Sequence, residues 1–306
     1  MIKWSIPSVL LLTLSLVSSA QAAEAIQTTA SVLPEITPSS SLSEQDVARR
    51  NRNVIVGGGL AIGLYGATHW WKDGLTNNFR TVDEGWFGQD TYAGGADKMG
   101  HLFSTYAGTR LLTRCFEGLG NDPEHSLWLG AATTFGTLLV IETIDGFSQR
   151  FRFSKEDLVM NTIGTGLGIL FEKSPGLDKA LDFRIQYWPS SAARRQGKVD
   201  PLGDYSGQTY LLVAKAAAVP ALRRYQPLRY LELAVGYGTR GYEPNEGPDT
   251  VRSRHAYLGI SLNLAEILDD TLFKDSRNSR SQRITHQVLE YVQVPGTAGA
   301  LVDHSF

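Results

Sequence analysis

The stretch GGADKMGHLFSTYAGTR, Gly94 to Arg110, sets an acid, a base and an imidazole within five residues and then runs into an apolar helical pattern. On a helix Asp97 and His101 lie four residues apart and Lys98 and His101 three apart, so each pair shares a face. Alone, this reads as an acid-favoured helix start, in which Asp97 complements the positive end of the macrodipole and pairs with its neighbours. The later segments change that reading.

Four apolar helical segments are expected. The first, VIVGGGLAIGLYGATHWW (Val54 to Trp71), has Gly59 and Gly63 at small-xxx-small spacing and ends on a Trp pair, a composition suited to a short membrane span or a helix wedged in a bundle. The second runs from about Lys98 to Phe116. The third, SLWLGAATTFGTLLVIETIDGF (Ser126 to Phe147), stays apolar until Glu142 and Asp145. The fourth, SKEDLVMNTIGTGLGILFE (Ser154 to Glu172), has Ser154 as cap, Asp157 in its first turn and KSPG as a stop.

A carboxylate after TLLVI either emerges into solvent or is buried with a partner, because a lone buried charge is costly. In the fourth segment Asp157, Asn161, Gly164 and Gly168 share one face, two polar side chains followed by two glycines. Antiparallel packing brings the start of the second helix, the end of the third and the start of the fourth into one polar layer. The expected binding set is Asp97, Lys98, His101, Tyr106, Arg110, Glu142, Asp145, Asp157 and Asn161, with His101, Glu142 and Asp157 as candidates for catalysis. The sequence contains no nucleophile motif and no compact metal-ligand spacing such as HExxH. The set allows a zinc or other metal site from His101, Glu142, Asp145 and Asp157, but none is assigned for want of a compact ligand motif, and cofactor and small-molecule ligand stay unspecified.

From about Phe183 the period changes from helical to two. QTYLLVAKAAAV (Gln208 to Val219), LRYLELAVGYGT (Leu228 to Thr239) and RHAYLGISLNL (Arg254 to Leu264) read as strands, with the turn-rich YEPNEGPD between the last two. Three to four strands form a small antiparallel sheet whose apolar face can pack on the helices, too few to close an outer-membrane barrel. LVDHS before the terminal Phe306 lacks clear alternation, and the region after Phe273 is expected to be polar and loose.

The fold class is α+β: a bundle of about four apolar, Gly-rich helices followed by the sheet. The expected organisation is a signal peptide over 1–22, a flexible linker over 23–41, a helical bundle over 42–175, a β-rich region over 176–273 and a polar tail over 274–306. Lys3, VLLLTLSLV and AQA (Ala20 to Ala22) form the export signal. SLSE, with Ser41 capping, begins a short polar helix through Arg52. The 29 basic and 31 acidic residues nearly balance, which argues against a nucleic-acid-binding surface. The single cysteine, Cys115, rules out an intramolecular disulfide and leaves no lipid-acceptor cysteine after the signal.

The ordered set ADKMGH, Tyr106, Arg110, Glu142, IDGFS, Ser154, Asp157, Asn161 and Gly164 resembles the YfiM-like family of predicted periplasmic lipoproteins of unknown function, and more distantly VanZ-like membrane proteins. The resemblance spans roughly Trp86 to Glu172, and DYSGQTYLL (Asp204 to Leu212) and LAVGYGTRG (Leu233 to Gly241) are similar to the C-terminal portion of longer members. It implies an exported protein at the periplasmic face of the cell envelope, associated with a membrane or envelope component, and brings no activity. Two functional classes follow. One is a non-catalytic structural or adaptor protein with a polar inter-helix site. The other is an envelope enzyme acting on a lipid or cell-wall substrate through His101, Glu142 and Asp157.

Overall fold

The computed structural model describes residues 43–197, 199–242 and 250–306. The expected signal peptide, linker and Ser41 cap, and nearly all of the YEPNEGPD turn, lie outside the described residues.

The polar helix expected through Arg52 and the first apolar segment are one continuous helix, α1 (Glu44–His69), since nothing between Arg52 and Val54 breaks helical geometry. Three further long helices follow: α2 (Ala96–Gly118), α3 (Pro123–Phe147) and α4 (Lys155–Lys173). Asp122 caps α3 by accepting from the His125 amide at 2.9 Å, and Pro123 occupies the first turn, where its missing N–H costs nothing. Ser154 caps α4, its Oγ accepting from the Asp157 amide at 3.3 Å. Against the expectation of close packing, a Cβ at Gly59 or Gly63 of α1 would meet nothing within 4 Å. The close approaches lie instead between α2 and its neighbours. Gly130 of α3 sits against the Thr113 backbone, and Gly168 of α4 against Tyr106 O and Thr109.

Two short strands, β1 (Thr81–Val82) and β2 (Phe153–Ser154), pair in parallel and tie the connection between α1 and α2 to the start of α4. Five strands then form an antiparallel meander in sequential order: β3 (Leu181–Tyr187), β4 (Gln208–Lys215), β5 (Leu231–Arg240), β6 (Ser253–Leu262) and β7 (Ala298–Ser305). The sheet meets the helices through a ring-rich core of Tyr106, Phe171, Phe183, Tyr210 and Tyr291.

The sheet departs from expectation in three ways. Among the described residues it has five strands where three to four were expected: β3, whose Leu181, Phe183, Ile185 and Tyr187 alternate with Asp182, Arg184 and Gln186, and the exposed edge β7 add to the three expected stretches. The segment after Phe273, expected to be loose, folds into helix α5 (Arg280–Tyr291) and β7. α5 is amphipathic, with Tyr291 buried in the core, and β7 gains its structure from pairing with β6 rather than from a pattern of its own.

The third departure concerns how much of the apolar face is covered: Phe183 and Tyr210 of that face pack on the helices as expected, and much of the rest stays open. Cross-strand partners share a face, and the rows Leu212–Val235–Leu258–Val302 and Leu233–Ile260 are apolar and exposed, Leu233 by 53% and Val235 by 54%. The opposite face carries Asp182, Arg184, Glu232 and Ser261, all buried. Arg184 donates to both oxygens of Glu232 at 2.7 and 2.8 Å and to Gln293 Oε1 at 3.0 Å. The Gln293 amide bonds to Ile185 O outside β3, while Thr297 O accepts from Leu262 N on the β7 side. Four residues of chain reach at most about 14 Å, whereas a flat sheet separates those positions by about 24 Å. The sheet therefore curls with its polar face concave around Gln293, and the small residues Ala234, Gly236 and Gly259 on that face leave room for the curl.

Candidate functional site

The entrance to α2 is a left-handed turn: Ala93, Gly94 and Gly95 have φ of 50, 61 and 88°. Glycine is required at Gly94, where a Cβ would run into the ring of Tyr242. Tyr237 Oη donates to Gly94 O at 2.5 Å. This turn aims the first two turns of α2 at the end of α3 and the start of α4.

Lys98 is completely buried and stands among acids. Its Nζ lies 2.6 Å from Asp157 Oδ1 and 3.1 Å from Asp97 Oδ2, and it also donates to Glu84 from the β1 connection. His101 Nε2 faces Glu142 Oε1 at 3.6 Å, Asp157 Oδ2 at 3.8 Å and Asp97 Oδ1 at 3.9 Å, all beyond hydrogen-bond reach. Its Nδ1 is 3.1 Å from Asn161 Oδ1, which can only accept, so Nδ1 carries the proton. Tyr205 Oη donates to Asp97 Oδ1 at 2.6 Å, the Ser154 amide lies 3.4 Å from Glu142 Oε2, and Trp71 Nε1 donates to Asp145 Oδ1 at 2.6 Å.

Crowding of acids away from water shifts their titration. Burial pushes Glu142 up to about 8. Burial and the neighbouring Asp97 charge raise Asp157 to about 7, and burial raises Asp145 to about 6. Burial acts against a proton on His101, but Asp97, Asp157 and Glu142 outweigh it and lift His101 to about 9. For Asp97 burial is overcome by His101 and Lys98, which hold the carboxyl below its usual range. At neutral pH the layer therefore stores protons on His101 and Glu142 that these groups do not hold in water. It can exchange protons among His101 and the carboxylates, or hold a cation between them.

The structure brings Asp97, Lys98, His101, Glu142, Asp157 and Asn161 together, with Asp145 beside them. Tyr106 and Arg110 lie elsewhere. Nine residues along α2 from His101, about 14 Å, Arg110 is buried in a second network and belongs to the joint between α2, α4 and α5 rather than to the layer. Its Nε donates to Glu172 at 2.7 Å, its Nη2 approaches Glu290 at 2.5 Å and Asp178, and its Nη1 donates to Tyr106 Oη at 2.7 Å. Residues that sequence reasoning left out of the layer are Glu84, Trp71, Tyr205 and Tyr92, whose ring centre lies 5.9 Å from Lys98 Nζ. Tyr205 lies within DYSGQTYLL, which already carried a family resemblance, whereas nothing local marks Glu84. Glu84 and Tyr92 also line a cavity of about 360 Å³ together with Asp83, Asp90, Tyr242 and Arg252.

Residues 83–173, which contain this layer, match the model of a family described as "Predicted periplasmic lipoprotein (DUF2279)". The resemblance to predicted periplasmic lipoproteins of unknown function thus holds over α2 to α4. No curated protein and no solved structure matches the chain.

Proposed function

We propose that the chain is an exported, periplasmic protein of the bacterial cell envelope with a structural or adaptor role, resting against a membrane. The export signal over 1–22 and the periplasmic description of the matching family support the compartment. The observation that carries the membrane reading is the open part of the sheet's apolar face: Leu212, Leu233, Val235, Leu258, Ile260 and Val302 form aligned exposed rows, a patch that water disfavours. Apolar side chains along the helices add to it, including Leu60 and Leu64 of α1, Val140 of α3 and Ile163 of α4. By length and composition α3 is also apolar enough to cross a membrane. In this reading the Lys98 layer locks the register of α2, α3 and α4 through its buried ion pairs and hydrogen bonds.

Flotation tests the reading. The mature chain, mixed with phosphatidylethanolamine–phosphatidylglycerol vesicles, is expected to rise with them in a density gradient. The double variant Leu233→Asp, Ile260→Asp is expected to stay behind with its circular dichroism unchanged. Wild-type protein that remains at the bottom overturns the membrane reading.

The enzyme alternative has one observation in its favour. His101 keeps 18% of its side chain exposed while the facing carboxylates keep less than 10%, so a substrate reaching the layer meets the imidazole first. Loss of an envelope-integrity phenotype in His101→Ala with the melting temperature preserved supports that alternative.

A further inference from the structure

The oxygens around His101 divide into two sets. Lys98 holds Asp157 Oδ1 and Asp97 Oδ2. The other oxygens, Asp157 Oδ2 and Asp97 Oδ1, turn with Glu142 Oε1 toward His101 Nε2. Since Nδ1 donates to Asn161, the neutral ring presents a lone pair at Nε2 toward oxygens of Asp97, Asp157 and Glu142, of which Asp97 Oδ1 also accepts from Tyr205 Oη. A proton on Nε2 does not resolve this, because each oxygen is 3.6 to 3.9 Å away. A cation does. Donors about 2.1 Å from a tetrahedral ion stand about 3.4 Å apart, close to the observed separations, and donor atoms of Asp97, His101 and Asp157 all lie within 4.8 Å of one another.

A second observation is independent of the acids. Asn161 is fully buried, its Oδ1 engages His101, and its Nδ2 has no partner among the described residues. An orphaned buried amide is costly, and this one needs an acceptor beside His101 that the protein does not supply. A water oxygen bound to an ion is such an acceptor.

We infer that Asp97, His101 and Asp157 are ligands of a divalent-metal site, for zinc or manganese, with Glu142 facing it across His101, in which Asn161 orients His101 and meets an ion-bound water. One imidazole with two carboxylates and no thiolate suits these ions rather than softer ones. Lys98 holds the Asp97 and Asp157 carboxylates by their far oxygens, the arrangement that orients metal ligands elsewhere, while Tyr205 donates to the Asp97 oxygen that faces His101. Three carboxylates, of Glu84, Asp97 and Asp157, face the one lysine, with Glu142 across His101, and a divalent ion offsets much of that excess. No ligand motif marks the site because its residues come from three helices. The inference rests on the proposed locking role of the layer and gives that lock an occupant.

The test uses the mature chain in detergent, stripped with EDTA and titrated calorimetrically with zinc chloride and with manganese chloride. One equivalent of at least one ion is expected to bind, reversed by EDTA. Binding is expected to vanish in His101→Ala and Asp157→Asn, to weaken by about 10–100-fold in Asn161→Ala, and to persist in His286→Ala, a remote histidine–aspartate pair. Circular dichroism establishes folding. If His101→Ala does not fold, His101→Gln and the isosteric Asp157→Asn give the reading. Absence of saturable binding by folded wild type, or unchanged binding in the ligand variants, overturns the site. The lock is measured separately, by the stability of Lys98→Met in EDTA, so a chain that needs Lys98 yet binds no metal keeps the lock and loses the site.

Discussion

Lys98 Nζ, at the start of α2, lies 2.6 Å from Asp157 Oδ1 in the first turn of α4, with the lysine completely buried. Two helices are thereby joined by a charge pair that neither can leave without exposing the other. Lys98→Met is expected to destabilise the chain by about 3–5 kcal/mol, because it strands the carboxylates rather than removing a balanced pair. Adding Asp157→Asn is expected to recover part of that loss. Chemical denaturation of the single and double variants checks both, and additive losses would show that the residues are not coupled.

Gly164 and Gly166, two residues apart on α4, separate packing from propensity. A Cβ at Gly164 would overlap Thr105 Oγ1 and Leu102 O of α2, while one at Gly166 meets nothing within 4 Å. Gly164→Ala is expected to cost about 1–3 kcal/mol by forcing the helices apart. Gly166→Ala is expected to stabilise by roughly 0.5–1 kcal/mol through helix propensity. Melting temperatures should move in opposite directions.

Asp145 makes stability depend on pH. Burial raises its pKa to about 6 from an ordinary value of 3.8. Below about pH 4 it is protonated whether the chain is folded or not. Between about 4 and 6 the folded chain keeps a proton that the unfolded chain has released, so its contribution falls as pH rises through that window and stays low above it. Asp145→Asn keeps an acceptor for Trp71 Nε1 and removes the titration. The variant is expected to exceed wild type by on the order of 1–3 kcal/mol at pH 7.5 and to match it below pH 4. Urea denaturation in EDTA at the two pH values gives the difference.

Glu232 supports the buried polar face of the sheet. It accepts both Arg184 nitrogens and the Ser261 hydroxyl at 2.6 Å inside the concave face. Glu232→Ala is expected to cost about 3–5 kcal/mol by leaving Arg184 buried beside Asp182 and Gln293 alone. Loss of protection in β5 and β6 by hydrogen exchange, with α2 to α4 retained, is the expected signature.

Much of the layer was legible because local spacing carries it. Asp97 and His101, or Asp157 and Asn161, share a helix face by period alone, and the antiparallel order of α2, α3 and α4 follows from short connections. Glu84 and Tyr205 were not legible as members, since they reach Lys98 and Asp97 from loops 14 and 108 residues away in the chain. Arg110 was misplaced for a related reason. Period puts it on α2 but does not say that Glu172, Asp178 and Glu290 will collect around it.

By itself, the sequence determined where the long helices run, which ends of them are polar, and which residues in the strands alternate. Those features depend on contacts within a few residues. Only the tertiary structure decided that the alternating leucines and isoleucines of β5 and β6 face outward and that Arg184 and Glu232 face inward. A period of two assigns residues to two faces but not to inside and outside. That choice was made by the curl around Gln293, by the partners waiting for Arg184, and by which part of the sheet α2 covers.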